Sequence, residues 1–186
     1  MSTVGAYERI DRDAYMTPAW VVEQLCEAVR FRPDIWEPAC GTGNVVRALW
    51  AAGYEVAYGD IADHGMRQAE RLDFLTVGEM PDGCASIVTN PPYADVARWV
   101  EHALDLTRPR AGMVALLLNS SFDAAQRNRR WIDHPAFAAK LQLTRRIRWI
   151  EDSKGSPVEK HAWFLWDWSR QPGPGVLRLL PAGSAA

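Results

Sequence analysis

Ile35-Trp36-Glu37-Pro38-Ala39-Cys40-Gly41-Thr42-Gly43-Asn44 begins apolar, turns into a glycine loop, and runs into Val45, Val46, Leu49 and Trp50 at helical spacing before Gly53. Strand, glycine turn, helix N-terminus is the βα geometry that lets a cofactor approach the backbone. Gly41 and Gly43 are expected where a Cβ would block a ligand. A lone G-x-G also marks an ordinary glycine turn in an α/β protein, so the stretch by itself fixes fold class rather than function.

The flanks repeat the pattern. Upstream, Tyr15-Met16-Thr17-Pro18 offers Thr17 as an N-cap and Pro18 as a first helical residue, with Val21, Val22, Leu25, Cys26 and Val29 following at helical spacing until Pro33. Downstream, Tyr54 to Tyr58 reads as a strand ending at Gly59-Asp60-Ile61. Asp60 stands near the position from which α/β nucleotide folds offer an acid to ribose hydroxyls; capping a short helix is the other use of an Asp there. One or two helical turns are expected over Met66 to Arg71, and a third strand end over Leu72-Asp73-Phe74-Leu75. Asp73 could accept from an adenine amino group with Phe74 against the ring, or Phe74 could be plain core. Pro81-Asp82-Gly83 turns the chain into a short apolar run, Ala85 to Thr89. A helix from Asp95 places Val96, Trp99, Val100, Ala103 and Leu104 on one face, and Met113 to Leu118 suits a buried parallel strand. This alternation predicts a Rossmann-like, doubly wound α/β fold.

The run Ala85 to Thr89 ends in Asn90-Pro91-Pro92-Tyr93. Proline pushes the residue before it towards extended conformations and has no N–H of its own. The result is a stiff loop with an amide at Asn90, a carbonyl at Pro91 and an aromatic plate at Tyr93. A flat ligand with an exocyclic amine could lie on Tyr93 while Asn90 and Pro91 each accept one amino hydrogen. An ordinary strand-to-helix exit fits the same four residues.

The 186 residues suit one domain with a full core; 48% are hydrophobic and 24% charged, with net charge −2. The surface as a whole is therefore no polyanion magnet, and any nucleic-acid site is local. Three cysteines without metal-ligand spacing and four scattered histidines point to reduced thiols and no metal site. No membrane-length apolar run or signal peptide is expected, and a cytoplasmic location (bacterial, or a phage-infected host) is. Residues 119–150 carry seven basic against two acidic side chains, +5, interleaved with Phe122, Trp131, Phe137 and Trp149. Such a segment suits a polyanion with stackable bases, or a solvated helix packed on its apolar side. Arg146 to Ile150 and His161 to Trp168 read as the last two strands. Residues 1–14 read as an arm, 15–170 as the domain, and 171–186, opened by Gln171-Pro172-Gly173-Pro174-Gly175, as a tail.

With these pieces in order, the chain resembles the class I S-adenosylmethionine-dependent methyltransferases, and more narrowly the amino-methyltransferases acting on adenine N6 in DNA. Asn90-Pro91-Pro92-Tyr93 matches their catalytic motif, and Glu37-Pro38-Ala39-Cys40-Gly41-Thr42-Gly43 their cofactor loop. Tyr15, Thr17 and Pro18 match the segment near the methionine carboxylate. Asp60 and Ile61 match the ribose acid and its apolar neighbour, and Asp73-Phe74 the pair at the cofactor adenine. The resemblance spans roughly residues 15 to 168. It implies a mostly parallel seven-stranded sheet with an antiparallel last strand and helices on both faces. It also implies S-adenosyl-L-methionine as cofactor, S-adenosyl-L-homocysteine as product, Asn90 touching both cofactor and substrate, and DNA as partner. Arg127, Arg129, Arg130, Arg145, Arg146 and Arg148 are the candidates for phosphate contacts. No large target-recognition domain fits in this length; Gly155-Ser156-Pro157 is similar to a loop of small phage-type adenine methyltransferases. Adenine in RNA, or a protein glutamine, presents the same flat amine and stands as the alternative substrate; a non-catalytic scaffold is a further alternative, against which the intact loop argues.

Overall fold

A computed structural model describes residues 16–32, 34–149 and 158–181. The expected N-terminal arm, Tyr15, Ile150 and the Gly155-Ser156-Pro157 loop lie outside them.

Eight strands form one sheet: β1 (Asp34–Glu37), β2 (Glu55–Asp60), β3 (Glu70–Arg71), β4 (Ser86–Thr89), β5 (Met113–Asn119), β6 (Phe137–Leu143), β7 (His161–Asp167) and β8 (Val176–Leu180), in the order β3-β2-β1-β4-β5-β7-β6-β8. β7 runs antiparallel to both β5 and β6, and the remaining pairings are parallel. Among the described residues the α-helices are α1 (Ala19–Ala28), α2 (Asn44–Ala51), α3 (Val96–Thr107) and a single turn, α4 (Arg129–Ile132).

Strand residues alternate between two cores, as side chains on successive positions must. Ile35, Val88, Ala115, Leu117 and Trp163 pack with Val21, Leu25, Val45 and Leu49 of α1 and α2. Trp36, Ile87, Leu116, Leu118, Phe164 and Trp166 pack with Trp99, Val100, Ala103 and Leu104 of α3 on the other face. β5, covered on both sides, is apolar from Met113 to Leu118, whereas β6 alternates buried and half-buried positions. Each fully buried aliphatic or aromatic side chain contributes about 1.5–3 kcal/mol. Among the described residues no helix is long and apolar enough to cross a membrane.

Four expectations change. The strand before β7 is Phe137–Leu143, not 146–150: its alternating face is what the neighbouring sheet needs, while Arg145, Arg146 and Arg148 stay exposed. The supposed tail contributes β8, an eighth strand pairing along β6. No helix forms over 66–71; the chain turns there, and the strand before Phe74 is only Glu70–Arg71. Helix α1 starts after Pro18, which is itself the N-cap residue, so no side chain caps the helix and Thr17 does not hold that position.

β1 lies between β2 and β4, so the chain's crossovers diverge on either side of it. The crevice at the carboxyl ends of strands flanking such a switch point is where ligands bind in open α/β sheets.

Candidate active site

The loop after β1 folds tightly because its own polar groups close it. Glu37 Oε1 accepts from Ala39 N at 3.0 Å, and Gly43 N donates to Cys40 O at 2.7 Å. Glu37 is fully buried, and burial pushes its carboxyl up to about 8. Burial likewise pushes the Cys40 thiol up to about 12, so it is a neutral wall rather than a nucleophile. Gly41 and Gly43 have φ of +51° and +87°. A Cβ on Gly41 would meet no protein atom within 4 Å, whereas one on Gly43 would strike Met66 Sδ at 2.3 Å. Gly41 therefore leaves room for a ligand, and Gly43 serves packing and the entry to α2, a correction to its expected role.

That loop walls a cavity of about 350 Å³. The size falls in the range, roughly 300–1,000 Å³, of small-molecule and cofactor sites. Thr17, Pro38, Ala39, Cys40, Gly41, Asp60, Ile61, Asp73, Phe74, Asn90 and Pro92 line it, brought together from five separate segments. Pro18, Glu37, Gly43, Pro91 and Tyr93 stand behind or beside the wall. Thr42 of the same glycine loop also lines it, as do His64, Leu72, Asp95, Arg98 and Trp99, which had escaped the sequence reading as site residues. Asp95, Arg98 and Trp99 lie just past the Pro-Pro loop, on the first turns leading into and along α3, so their position followed from the motif. His64 follows Asp60 by one helical-turn spacing in an irregular segment and carried no signal.

At the end of β2, Asp60 is 7% exposed. Its Oδ2 accepts from Gly41 N at 2.8 Å and its Oδ1 from Ala62 N at 2.9 Å, with His64 Nε2 3.6 Å from Oδ1. The acid thus organises the glycine loop and keeps lone pairs for a ligand, since a carboxylate has about four acceptor sites. Ile61 beside it is 62% exposed, an apolar side chain held at the cavity rim. Asp73 Oδ1 accepts from Leu75 N at 3.0 Å. Phe74 is buried, its ring stacked on Trp99 at 4.3 Å and tilted against Trp36 at 5.4 Å. Its ring packs in the core, the alternative that the sequence left open, while the residue still lines the cavity.

Asn90 closes the cavity from β4's end. Its Nδ2 donates to Thr17 Oγ1 at 3.2 Å, and its Oδ1 is buried with no hydrogen-bond partner. Thr17, 3% exposed, thus acts on Asn90 rather than capping α1. A buried acceptor left without a donor costs about 1–3 kcal/mol. Pro92 is extended (φ −61°, ψ 129°) and Tyr93 opens a short 3₁₀ turn. The Tyr93 ring lies 6.1 Å from that of His161 at 23° between planes, and Trp149 meets His161 edge-on at 5.1 Å.

The arginines divide. β6 runs parallel to β5 in direction, so residues after Leu143 emerge at the cavity's edge of the sheet, and Trp149 beside His161 fixes that placement. Arg145, Arg146 and Arg148 are exposed there, Arg145 with its guanidinium 4.9 Å over the Trp20 ring. Trp131 O, by contrast, accepts from Trp166 Nε1, and Trp166 pairs across from Val114 near the start of β5. Arg129 and Arg130 flank Trp131 at that opposite edge, held by Asp133 at 2.8 Å and by Glu101 at 3.9 Å. The structure does not bring them to the cavity. Among the described residues no group of three His, Cys, Asp or Glu side chains could hold a metal ion.

No protein-family profile matches the chain, and no curated protein matches it in sequence. Solved structures do match in shape. A protein from Pyrococcus horikoshii described as an RNA methyltransferase superposes with a TM-score of 0.61 at 12% identity, covering 90% of this chain and 92% of its own. A type I restriction-modification methyltransferase subunit from Streptococcus thermophilus gives 0.59 at 15% identity over 84% of this chain and 45% of its own. A protein from Listeria monocytogenes described as a class I S-adenosylmethionine-dependent methyltransferase gives 0.58 at 13% identity, covering 97% of this chain and 68% of its own.

The fold is that of the class I S-adenosylmethionine-dependent methyltransferases.

β1 to β7 make the expected mostly parallel seven-stranded sheet, with β7 its antiparallel strand, and β8 is added at the edge. The chain spans less than half the length of the restriction-modification subunit it matches.

Proposed function

We propose that this chain is an S-adenosylmethionine-dependent methyltransferase acting on the exocyclic N6 amine of adenine in DNA. The carrying observation is the Asn90 side-chain oxygen: buried, partnerless, and anchored through its own amide nitrogen to Thr17 at the wall of a cofactor-sized cavity. A protein keeps such an atom where a ligand will supply the missing donor.

The residues fit the cofactor. Asp60 has lone pairs for ribose hydroxyls, Ile61 offers an apolar surface to the adenine, and Asp73 offers an acceptor to its amino group. Asp60, Asp73 and Asp95 outnumber the single cavity guanidinium, Arg98, which suits a cationic ligand. S-adenosylmethionine, when bound, supplies a methyl group activated on a sulfonium.

The chain's own task is to hold the amine. Its lone pair is shared with the aromatic ring and is a poor nucleophile. Asn90 Oδ1 and the Pro91 carbonyl accept its two hydrogens, which draws the nitrogen towards tetrahedral geometry. Both oxygens then face the positive charge that develops on that nitrogen. The nitrogen sheds its extra proton to water, so no strong base is required. A paired base cannot reach this corner; it flips out and Tyr93 offers it a ring. Arg145, Arg146 and Arg148, exposed beside the corner, face the phosphates.

Adenine in RNA is the second reading, favoured by the likeness to the Pyrococcus horikoshii protein. The deciding experiment incubates the chain with methyl-labelled S-adenosylmethionine and separate DNA, RNA and protein pools, followed by nucleoside and amino-acid analysis. Label in N6-methyladenosine from RNA, or in methylglutamine, with none in DNA would replace the reading.

A further inference from the structure

His161 belongs to neither the cavity nor the motif, and its environment is unusual. It opens β7, paired with Asn119 at the catalytic edge of the sheet, and its carbonyl accepts from Gln142 Nε2 at 3.0 Å, so its backbone is fixed. Its side chain is 1% exposed. Neither ring nitrogen has a hydrogen-bond partner among the described residues, and the carboxylate that comes nearest, Glu159 Oε2, stays 3.8 Å from Nε2. One aromatic neighbour is Tyr93, nearly parallel; the other is Trp149, edge-on.

An imidazole serving only as core filler is out of place here. Phe or Leu would fill the same space without two stranded polar atoms, and buried polar groups in folded proteins nearly always have partners. The stranded atoms lie beside the ring of the proposed base-stacking residue. Asn90 Oδ1, an acceptor without a donor, is likewise stranded at this edge of the sheet.

We propose that His161 is a base-reading residue: its ring N–H donates to a ring nitrogen of the target adenine once that base lies on Tyr93. This rests on the adenine reading above and deepens it. Burial pushes the imidazole down to about 4, so the ring is neutral near pH 7 and carries one N–H donor and one acceptor nitrogen. With the amine hydrogens taken by Asn90 and Pro91, the ring nitrogens next to the amine, N1 and N7, are the acceptors within its reach. Guanine presents a donor at N1 and a carbonyl in place of the amine. The pair of interactions would therefore separate the two purines, because a site built to hydrogen-bond one group strongly rejects a ligand lacking it.

The test uses a DNA substrate that the wild-type chain methylates, together with copies carrying 1-deazaadenine or 7-deazaadenine at the target. Wild type should lose about tenfold or more in kcat/KM with one of the two analogues, the scale of one lost hydrogen bond in a closed site. His161→Phe, which keeps the stack, should lose a similar factor on adenine and show no further loss with that analogue. His161→Gln, which keeps an N–H, should recover part of the activity. Calorimetric affinity for S-adenosylhomocysteine should stay at the wild-type value in both variants, and matched circular dichroism shows that they fold. Equal sensitivity to both analogues in wild type and His161→Phe overturns the proposal while the adenine reading survives. Failure of wild type to methylate adenine in any DNA removes the adenine reading, and this proposal with it.

Discussion

Glu37 gives a prediction whose size follows from burial alone. Its carboxyl sits beneath the glycine loop with no exposed surface, and its pKa rises from 4.5 to about 8. A folded-state pKa above the unfolded one means that the folded chain binds the proton more tightly. The stability this confers is complete below about pH 4.5 and is lost as pH rises through about 8. At about 1.36 kcal/mol per pKa unit, the loss across that window amounts to about 4–5 kcal/mol. Glu37→Gln keeps an oxygen to accept from Ala39 N and has nothing to titrate. Melting curves of both proteins from pH 5 to 9 should therefore diverge: near coincidence at pH 5, and the variant higher by roughly 10–20 °C at pH 9, using about 2–4 °C per kcal/mol for a chain of this size. Other titrating groups, His161 and the cysteines among them, are common to both and cancel in the difference. Parallel curves over the whole range would refute the reasoning and mean that the carboxylate is ionised in place, held by donors strong enough to offset its burial.

Two further outcomes follow from the geometry. Asp60→Asn keeps an oxygen for only one of the two backbone donors, Gly41 N and Ala62 N, and removes the charge; it should weaken cofactor binding about tenfold or more by calorimetry, a loss of about 1.5–3 kcal/mol for a hydrogen bond to a charged group, and unchanged affinity would reject its ribose role. Binding to duplex DNA should weaken with salt at a log–log slope of about −0.9 per phosphate contact, so Arg145→Ala and Arg148→Ala should each flatten it by about one unit. Arg129→Ala, at the far edge and paired with Asp133, should leave it unchanged.

The parts of this molecule that were legible in sequence are those whose chemistry is local. Strand, glycine turn and helix follow one another within a few residues of Glu37, and Asn90-Pro91-Pro92-Tyr93 is stiff whatever surrounds it. Phe137–Leu143 was missed although it alternates, because its basic neighbours drew the whole segment into one surface reading. Phe74, open in sequence between core and ligand, is decided by a non-local contact: Trp99, from the next helix, stacks on its ring. The two basic clusters emerge at opposite edges because β6 lies between them, and the antiparallel pairing of β7 with both its neighbours decides which of them reaches the cavity's edge. His161 meets Tyr93 through the same pairing, and no spacing rule could have joined them.

Thr17 illustrates a third kind of miss. Its hydroxyl has the chemistry of an N-cap and stands beside Pro18, yet the structure uses it to fix the Asn90 amide instead. Local propensity offered the cap; the approach of α1's start to the end of β4 supplied a better partner.

The central claim is that Asn90 presents its oxygen to the reacting amine while its amide nitrogen is tied to Thr17. Asn90→Ala, assayed for labelled methyl transfer beside calorimetric binding of S-adenosylhomocysteine, tests it most directly. Turnover should fall by about 100-fold or more, the usual cost of removing one preorganised polar contact to a developing charge, with cofactor affinity nearly unchanged. Turnover within a few-fold of wild type would contradict the account.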